Sequence, residues 1–142
     1  MTAMVDISAI NVRAFKLWVG AMPRELSALT RFDEVVICCH PPPNVPFGYI
    51  LTYFEDGLDA PTGKEKATIE RASDIVARAL EAERTVAVLC SAGQNRSCLV
   101  AARAMVKLGW APDVAIEIMR EHRDHALYNQ HFVRYLRGEP ER

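Results

Sequence analysis

The stretch Val86–Gly109, "VAVLCSAGQNRSCLVAARAMVKLG", decides how the rest of the chain is read. A short apolar run ends at Cys90, small and polar residues follow from Ser91 to Asn95, and apolar residues then recur at helical spacing after Arg96. An apolar run of this length, cut off by a small-residue loop, is the pattern of a strand buried on both faces. The unit therefore reads as strand, tight loop and helix, the helix spanning Ser97 to Leu108 and ending at Gly109. In open α/β sheets ligands bind at the carboxyl end of such a strand.

The loop has the chemistry of an anion cradle. If Ser91, Ala92, Gly93, Gln94 and Asn95 curl around one point, their backbone N–H groups and the positive end of the following helix converge on a tetrahedral dianion. Gly93 and Asn95 tolerate the left-handed conformations that such a turn needs. Arg96 adds a planar fork able to hold two phosphate oxygens at once. The same positive field favours the thiolate of Cys90, a nucleophile beneath a bound phosphoryl group. Ser97 can hydrogen-bond that sulfur and stabilise it as a leaving group when a thiophosphate is hydrolysed.

Outward from this unit, helix and strand signals alternate. Phe15–Val19 reads as a strand closed by Gly20, Arg24–Thr30 as a short helix, and "RFDEVVICCH" as a buried strand. The three prolines Pro41–Pro43 force a loop, "YILTYF" is a further strand candidate, and "EDGLDAPTG" is an exposed connection. Ile69, Ala72, Ile75, Val76, Ala79 and Leu80 recur at helical spacing and predict a helix over Lys64–Glu83. Pro112–Arg120 and Ala126–Leu136 complete the helices. The expected fold is α/β, with a central, mostly parallel sheet of about four to five strands flanked by helices.

At 142 residues, half of them hydrophobic and a quarter charged, the chain has the size and composition of one globular domain, read as a single catalytic domain over residues 1–142. A net charge of -1 gives no global basic surface for nucleic acid or anionic membrane. Arg120, Arg123, Arg134, Arg137 and Arg142 make the last segment locally basic, which reads as a solvated helix face. No run approaches the ~20 apolar residues of a membrane span, and the N-terminus lacks a signal-peptide pattern, so a cytoplasmic location is expected. The four cysteines, two of them adjacent at Cys38 and Cys39, do not have disulfide-framework or zinc-knuckle spacing. His122, His125 and His131 complete no metal-ligand pattern, and Trp18, Trp110 and Phe132 read as packing residues.

"CSAGQNRS" resembles the signature loop of the cysteine-dependent protein tyrosine phosphatases, in particular their small dual-specificity branch. "LWVGAMPRELSAL" is similar to that branch's first strand, "FDEVVICC" to its next strand, "YFEDG" to its general-acid loop, and "RDHALYNQHFVRYL" to its final helix. Two residues depart from the pattern: Leu89 stands where the branch usually has His, and Cys98 where it usually has a small residue. The resemblance implies a phosphomonoester hydrolase with Cys90 as nucleophile, Arg96 and the loop amides as phosphate ligands, and Ser97 assisting the second step. It also implies a general acid on a loop, for which Asp56 and Asp59 compete and Asp56 is preferred.

The neutral side chains within the loop suit a singly phosphorylated group better than a ring bearing several phosphates. The expected partner is thus a phosphorylated protein or peptide, cleaved by a monomer without membrane, nucleic acid, cofactor or metal. RNA 5'-phosphatases of the superfamily share Asn-Arg at the positions of Asn95 and Arg96, which makes that activity an alternative. A rhodanese-like sulfurtransferase and a phosphate-recognition module without turnover are the readings from other classes. Some family members form a reversible disulfide to the nucleophile from a neighbouring strand, which points to Cys38 or Cys39 and, less directly, to Cys98.

Overall fold

A computed structural model of the chain describes residues 5–12, 16–43, 45 and 48–140. Its centre is the strand anticipated from the apolar run: β5, Val86–Cys90, buried at every position. β2 (Leu17–Ala21) pairs with it in parallel on one side and β3 (Glu34–Ile37) on the other, which is why its side chains are apolar without alternation. β4 (Ile50–Leu51) adds to β3 in parallel, and β1 (Ile7–Ala9) adds to β2 antiparallel. Among the described residues the sheet order is β1-β2-β5-β3-β4, five strands with a single antiparallel pair.

β1 was not foreseen from the sequence, and its pairing depends on Gly20. A Cβ at that position would stand 2.3 Å from the Asp6 carbonyl oxygen and 2.5 Å from Ile7 Cα. Only a residue without a side chain lets the two backbones approach this closely. The strand read over Phe15–Val19 is β2, shifted toward Ala21; Phe15 lies outside the described residues. The candidate strand over Tyr49–Phe54 is reduced to two residues, because after the Thr52 N–H bonds the Ile37 carbonyl at 2.8 Å the chain leaves β3 and runs toward the loop at β5. The helix read at Arg24–Thr30 is a 3-10 turn, Leu26–Leu29, with Leu29 fully buried.

Among the described residues four α-helices complete the fold. α1, Gly63–Glu81, is started by a capping box in which Thr62 Oγ1 accepts the Glu65 N–H and Glu65 Oε1 accepts the Thr62 N–H. Its apolar stripe, including Ile69, Ala72, Val76 and Leu80, is buried. α2 (Arg96–Lys107) packs against α1 and both touch β5; α3 (Pro112–His122) has Pro in its first turn, where no amide bond is lost. α4 is shorter than the pattern suggested, Gln130–Arg137, and ends at Gly138 in the left-handed conformation. Residues 126–129 are not helical. Leu127 has φ 57 and donates its N–H to the Gln94 carbonyl at 2.8 Å, so this segment is bent to serve the loop after β5.

Candidate active site

The parallel sheet delivers Cys90 to its carboxyl edge, with α2 beginning six residues on. Cys90 is 3% exposed, at the bottom of the loop that joins the two elements. Two groups meet its sulfur: the Gly93 N–H donates to it at 3.2 Å, and Ser97 Oγ shares a hydrogen bond with it, also at 3.2 Å. The amides of Ser91, Ala92, Gln94 and Asn95 make no hydrogen bond to another described residue. A row of unengaged N–H groups ending at a helix N-terminus is what an anion needs.

Gly93 sets the turn. Its φ is +67, and a Cβ there would stand 2.4 Å from Arg123 Nη2 and 2.5 Å from the Gly20 carbonyl carbon. Space and backbone conformation both demand glycine. Arg123, read from the sequence as part of a solvated basic face, is instead 7% exposed and holds this turn from beneath. It donates to the Gly93 and Ala92 carbonyls, to Ser8 Oγ, and to the Asp6 carboxylate at 2.6 Å. The Arg123 hydrogen bond holds the Asp6 carboxyl below its ordinary range, against the opposing effect of partial burial. The other helix-face arginines also have partners: Arg120 donates to the Ala126 and Leu127 carbonyls, and Arg137 pairs with Asp113. Arg142 lies outside the described residues.

Arg96 is half-buried at the start of α2. Its guanidinium reaches the Phe54 carbonyl and Ser91 Oγ, each at 3.3 Å, so it bridges the loop to the segment that carries Asp56. Asp56 receives Asn95 Nδ2 on one carboxylate oxygen at 2.9 Å and Asn129 Nδ2 on the other at 2.7 Å. The segment around it is fixed residue by residue. The Glu55 N–H donates to Glu65, the Gly57 carbonyl accepts from Asn129, and the Leu58 carbonyl faces His131 Nε2 at 2.8 Å. Asp59 is exposed and takes part in none of these hydrogen bonds. The structure thus brings Cys90, Ser91–Arg96, Ser97 and Asp56 together and leaves Asp59 outside.

The residues that depart from the signature pattern are accommodated in the core. Leu89 is fully buried in β5. Cys98 lies under the loop with its S–H toward the Gly93 carbonyl at 3.7 Å, and burial pushes its thiol up to about 12. Burial likewise raises Cys38 and Cys39, the Thr52 hydroxyl partly offsetting this at Cys38. Among the described residues no group of three His, Cys, Asp or Glu could hold a metal ion. His122 and His131 act in hydrogen bonding, to the Ile118 and Leu58 carbonyls. No helix of the described residues is long and apolar enough to cross a membrane.

Asn129 and Arg123 are the site residues that sequence reasoning missed. Asn129 stood within a stretch read as continuous helix, where its position before Gln130 was an overlooked N-cap signal. Arg123 had no local signal, because its partners are 30 and 117 residues away.

Comparison with known proteins agrees with this geometry. Residues 48–139 match the family model described as dual specificity phosphatase, catalytic domain. The crystal structure of the Cydia pomonella PTP-2 phosphatase is similar at TM-score 0.75 and 21% identity, covering 95% of this chain and 90% of that one. Human DUSP28 aligns at TM-score 0.74 and 18% identity, over 96% and 93% of the two chains. The human tyrosine phosphatase-like serine/threonine/tyrosine-interacting protein aligns at TM-score 0.72 and 19% identity, over 95% of each. No curated protein shows a sequence match to the chain. The fold agrees with all three structures and the family model covers the segment around Asp56, β5 with its loop and the four α-helices α1 to α4; the chain belongs to the dual-specificity phosphatase catalytic-domain family, the cysteine-dependent phosphatases that cleave phosphomonoesters.

Proposed function

We propose that residues 1–142 act as one catalytic domain, monomeric and cytoplasmic, that hydrolyses phosphotyrosine and also phosphoserine or phosphothreonine in proteins. The observation that carries the reading is the pair of polar contacts, the Gly93 N–H and the Ser97 hydroxyl, both 3.2 Å from the Cys90 sulfur at the floor of the loop. The sulfur is held in place by these two contacts, and the unengaged amides above it favour a phosphoryl group in line with it.

In the first step the Cys90 thiolate attacks phosphorus, a sulfur–phosphorus bond forms and the phosphorus–oxygen bond to the substrate breaks. Asp56 protonates the departing oxygen, while the Ser91–Asn95 amides and the Arg96 fork carry the charge on the phosphoryl oxygens. In the second step the Asp56 carboxylate accepts a proton from water, the oxygen bonds phosphorus, and Cys90 leaves as thiolate, stabilised by Ser97. The positive field is supplied by protein groups, and no cofactor or metal is assigned a role.

The substrate class follows from the surroundings. Ser91, Ala92, Gln94 and Asn95 offer no cation beyond Arg96, which matches one phosphate. Tyr53, Leu58 and Tyr128 are exposed side chains on or near the segments that carry Asp56 and Asn129, available to a phosphorylated aromatic residue. The test is hydrolysis of phosphotyrosine peptides with EDTA present, by the wild type and by Cys90→Ser, Asp56→Ala and Asp59→Ala. Loss in the first, a fall of about 10²–10⁴-fold in the second and little change in the third support the reading. Faster phosphate release from triphosphorylated RNA than from phosphotyrosine would make the RNA 5'-end the substrate. Phosphopeptide binding without turnover would make the protein a recognition module.

A further inference from the structure

We propose that Asn129 is a positioning residue for the general acid: together with Asn95 it aims the Asp56 carboxyl at the leaving oxygen of the substrate. The inference rests on the reading of Asp56 as that acid and adds a residue outside the signature loop.

Both asparagines have a fixed orientation. Asn129 Oδ1 accepts the His131 N–H at 3.0 Å, and Asn95 Oδ1 accepts the Asn129 N–H at 3.1 Å. A backbone N–H can only donate, so each amide oxygen is committed and each Nδ2 must face the other way. There they meet the two oxygens of Asp56, at 2.7 Å and 2.9 Å. The carboxyl is held at both ends, and its plane is set by two groups that cannot turn.

The mounts are rigid. Asn129 is the N-cap of α4 and Asn95 the N-cap of α2, and they are 9% and 2% exposed. Asn95 makes no side-chain cap to its own helix; its oxygen goes to the Asn129 amide and its NH2 to Asp56. An N-cap asparagine usually satisfies one of its own helix's orphan amides, a contribution of about 1 kcal/mol. Here that bond is absent, and the same two polar atoms tie the acid segment to the phosphate loop. Proton transfer demands such placement, since a misplacement of about 1 Å can cost about 10²-fold in rate.

The positioning role is separable from the capping role. Ser and Thr both serve as N-caps, so Asn129→Ser and Asn129→Thr keep the start of α4 while removing the amide donor to Asp56 without adding charge. Phenyl phosphate, whose leaving oxygen needs a proton, and p-nitrophenyl phosphate, whose leaving group departs with little help, separate the effects. The ratio of kcat/KM for phenyl phosphate to that for p-nitrophenyl phosphate, which reports the leaving-group step alone, is expected to fall at least about tenfold in both variants, with the thermal midpoint retained. Parallel loss on both substrates, or no change on either, would overturn the role of Asn129. Asp56→Ala measured alongside distinguishes the two failures. If it leaves the ratio unchanged, Asp56 is not the acid and the proposal falls with that reading. If it lowers the ratio while the Asn129 variants do not, Asp56 stands and the positioning claim alone is refuted.

Discussion

The Cys90 sulfur and the Ser97 hydroxyl are 3.2 Å apart, both buried, on the last residue of β5 and in the first turn of α2. The distance is set by elements rather than by a loose side chain, so the hydroxyl is available whenever the sulfur must carry charge. Ser97→Ala removes a donor needed mainly when Cys90 departs from the phosphoryl group. Steady-state kcat is expected to fall about 10²-fold, with a burst of product in the first turnover. Rapid-quench kinetics read both, and a loss without a burst would assign Ser97 to the first step.

Gly93→Ala tests the turn. The added Cβ meets Arg123 Nη2 and the Gly20 backbone well inside contact distance, and φ +67 adds strain of about 1–3 kcal/mol. Inhibition by orthovanadate, a tetrahedral oxyanion, should weaken together with activity, while the far-UV spectrum stays that of the wild type. Tight vanadate binding in this variant would show that the loop does not depend on the turn.

Stability should fall in acid through Glu70. The Arg103 hydrogen bond, assisted by Tyr135 and Lys107 and opposed by burial, lowers its carboxyl from 4.5 to about 2 in the folded protein. A depressed folded value means the stabilisation is fully present above pH 4.5 and is lost as pH falls toward 2. Glu70 is 34% exposed, which limits its contribution to about 1 kcal/mol. Glu70→Gln should lower the thermal midpoint at pH 7 and flatten its decline toward pH 3. Identical pH profiles for the two proteins would contradict this.

Peroxide should link Cys90 to Cys38. Ile37 is the register partner of Leu89 and the Cys38 N–H bonds the Leu89 carbonyl at 2.7 Å, so the next residues, Cys38 and Cys90, lie side by side on one face of the sheet. Cys39 lies beyond the end of β3 with its thiol against the Ser91 hydroxyl, and Cys98 is directed at the Gly93 carbonyl. Peroxide converts the Cys90 thiolate to sulfenic acid, and the Cys38 sulfur then displaces water to form the disulfide. Peptide mapping should find this pair; only Cys90 sulfinic acid, or a Cys39 linkage, would contradict it.

The parts legible in the sequence were those specified locally. β5, its loop and α2 occupy one continuous stretch, and α1 carries its own capping box and stripe, so pattern and structure coincide there. β1 was hidden because three residues cannot establish a period, and its pairing is signalled only by Gly20, across a segment that partly lies outside the described residues. The start of α4 was misread because Ala126 and Leu127 continue an apolar pattern, yet Leu127 is buried against the loop with a positive φ. By sequence Asp56 and Asp59 were both candidates, with Asp56 preferred for its place in "YFEDG". The fold adds two asparagine hydrogen bonds to Asp56, from residues 39 and 73 positions away, that the sequence alone does not show.

The most direct test of the mechanism is to acid-quench the enzyme within its first turnover of a phosphotyrosine peptide, in EDTA, and locate the phosphoryl group by peptide mapping. The account predicts one phosphoryl group on Cys90, decaying to inorganic phosphate at the rate of turnover and lingering in Ser97→Ala. No phosphoryl group on Cys90, or phosphate release that persists in Cys90→Ser, would contradict it.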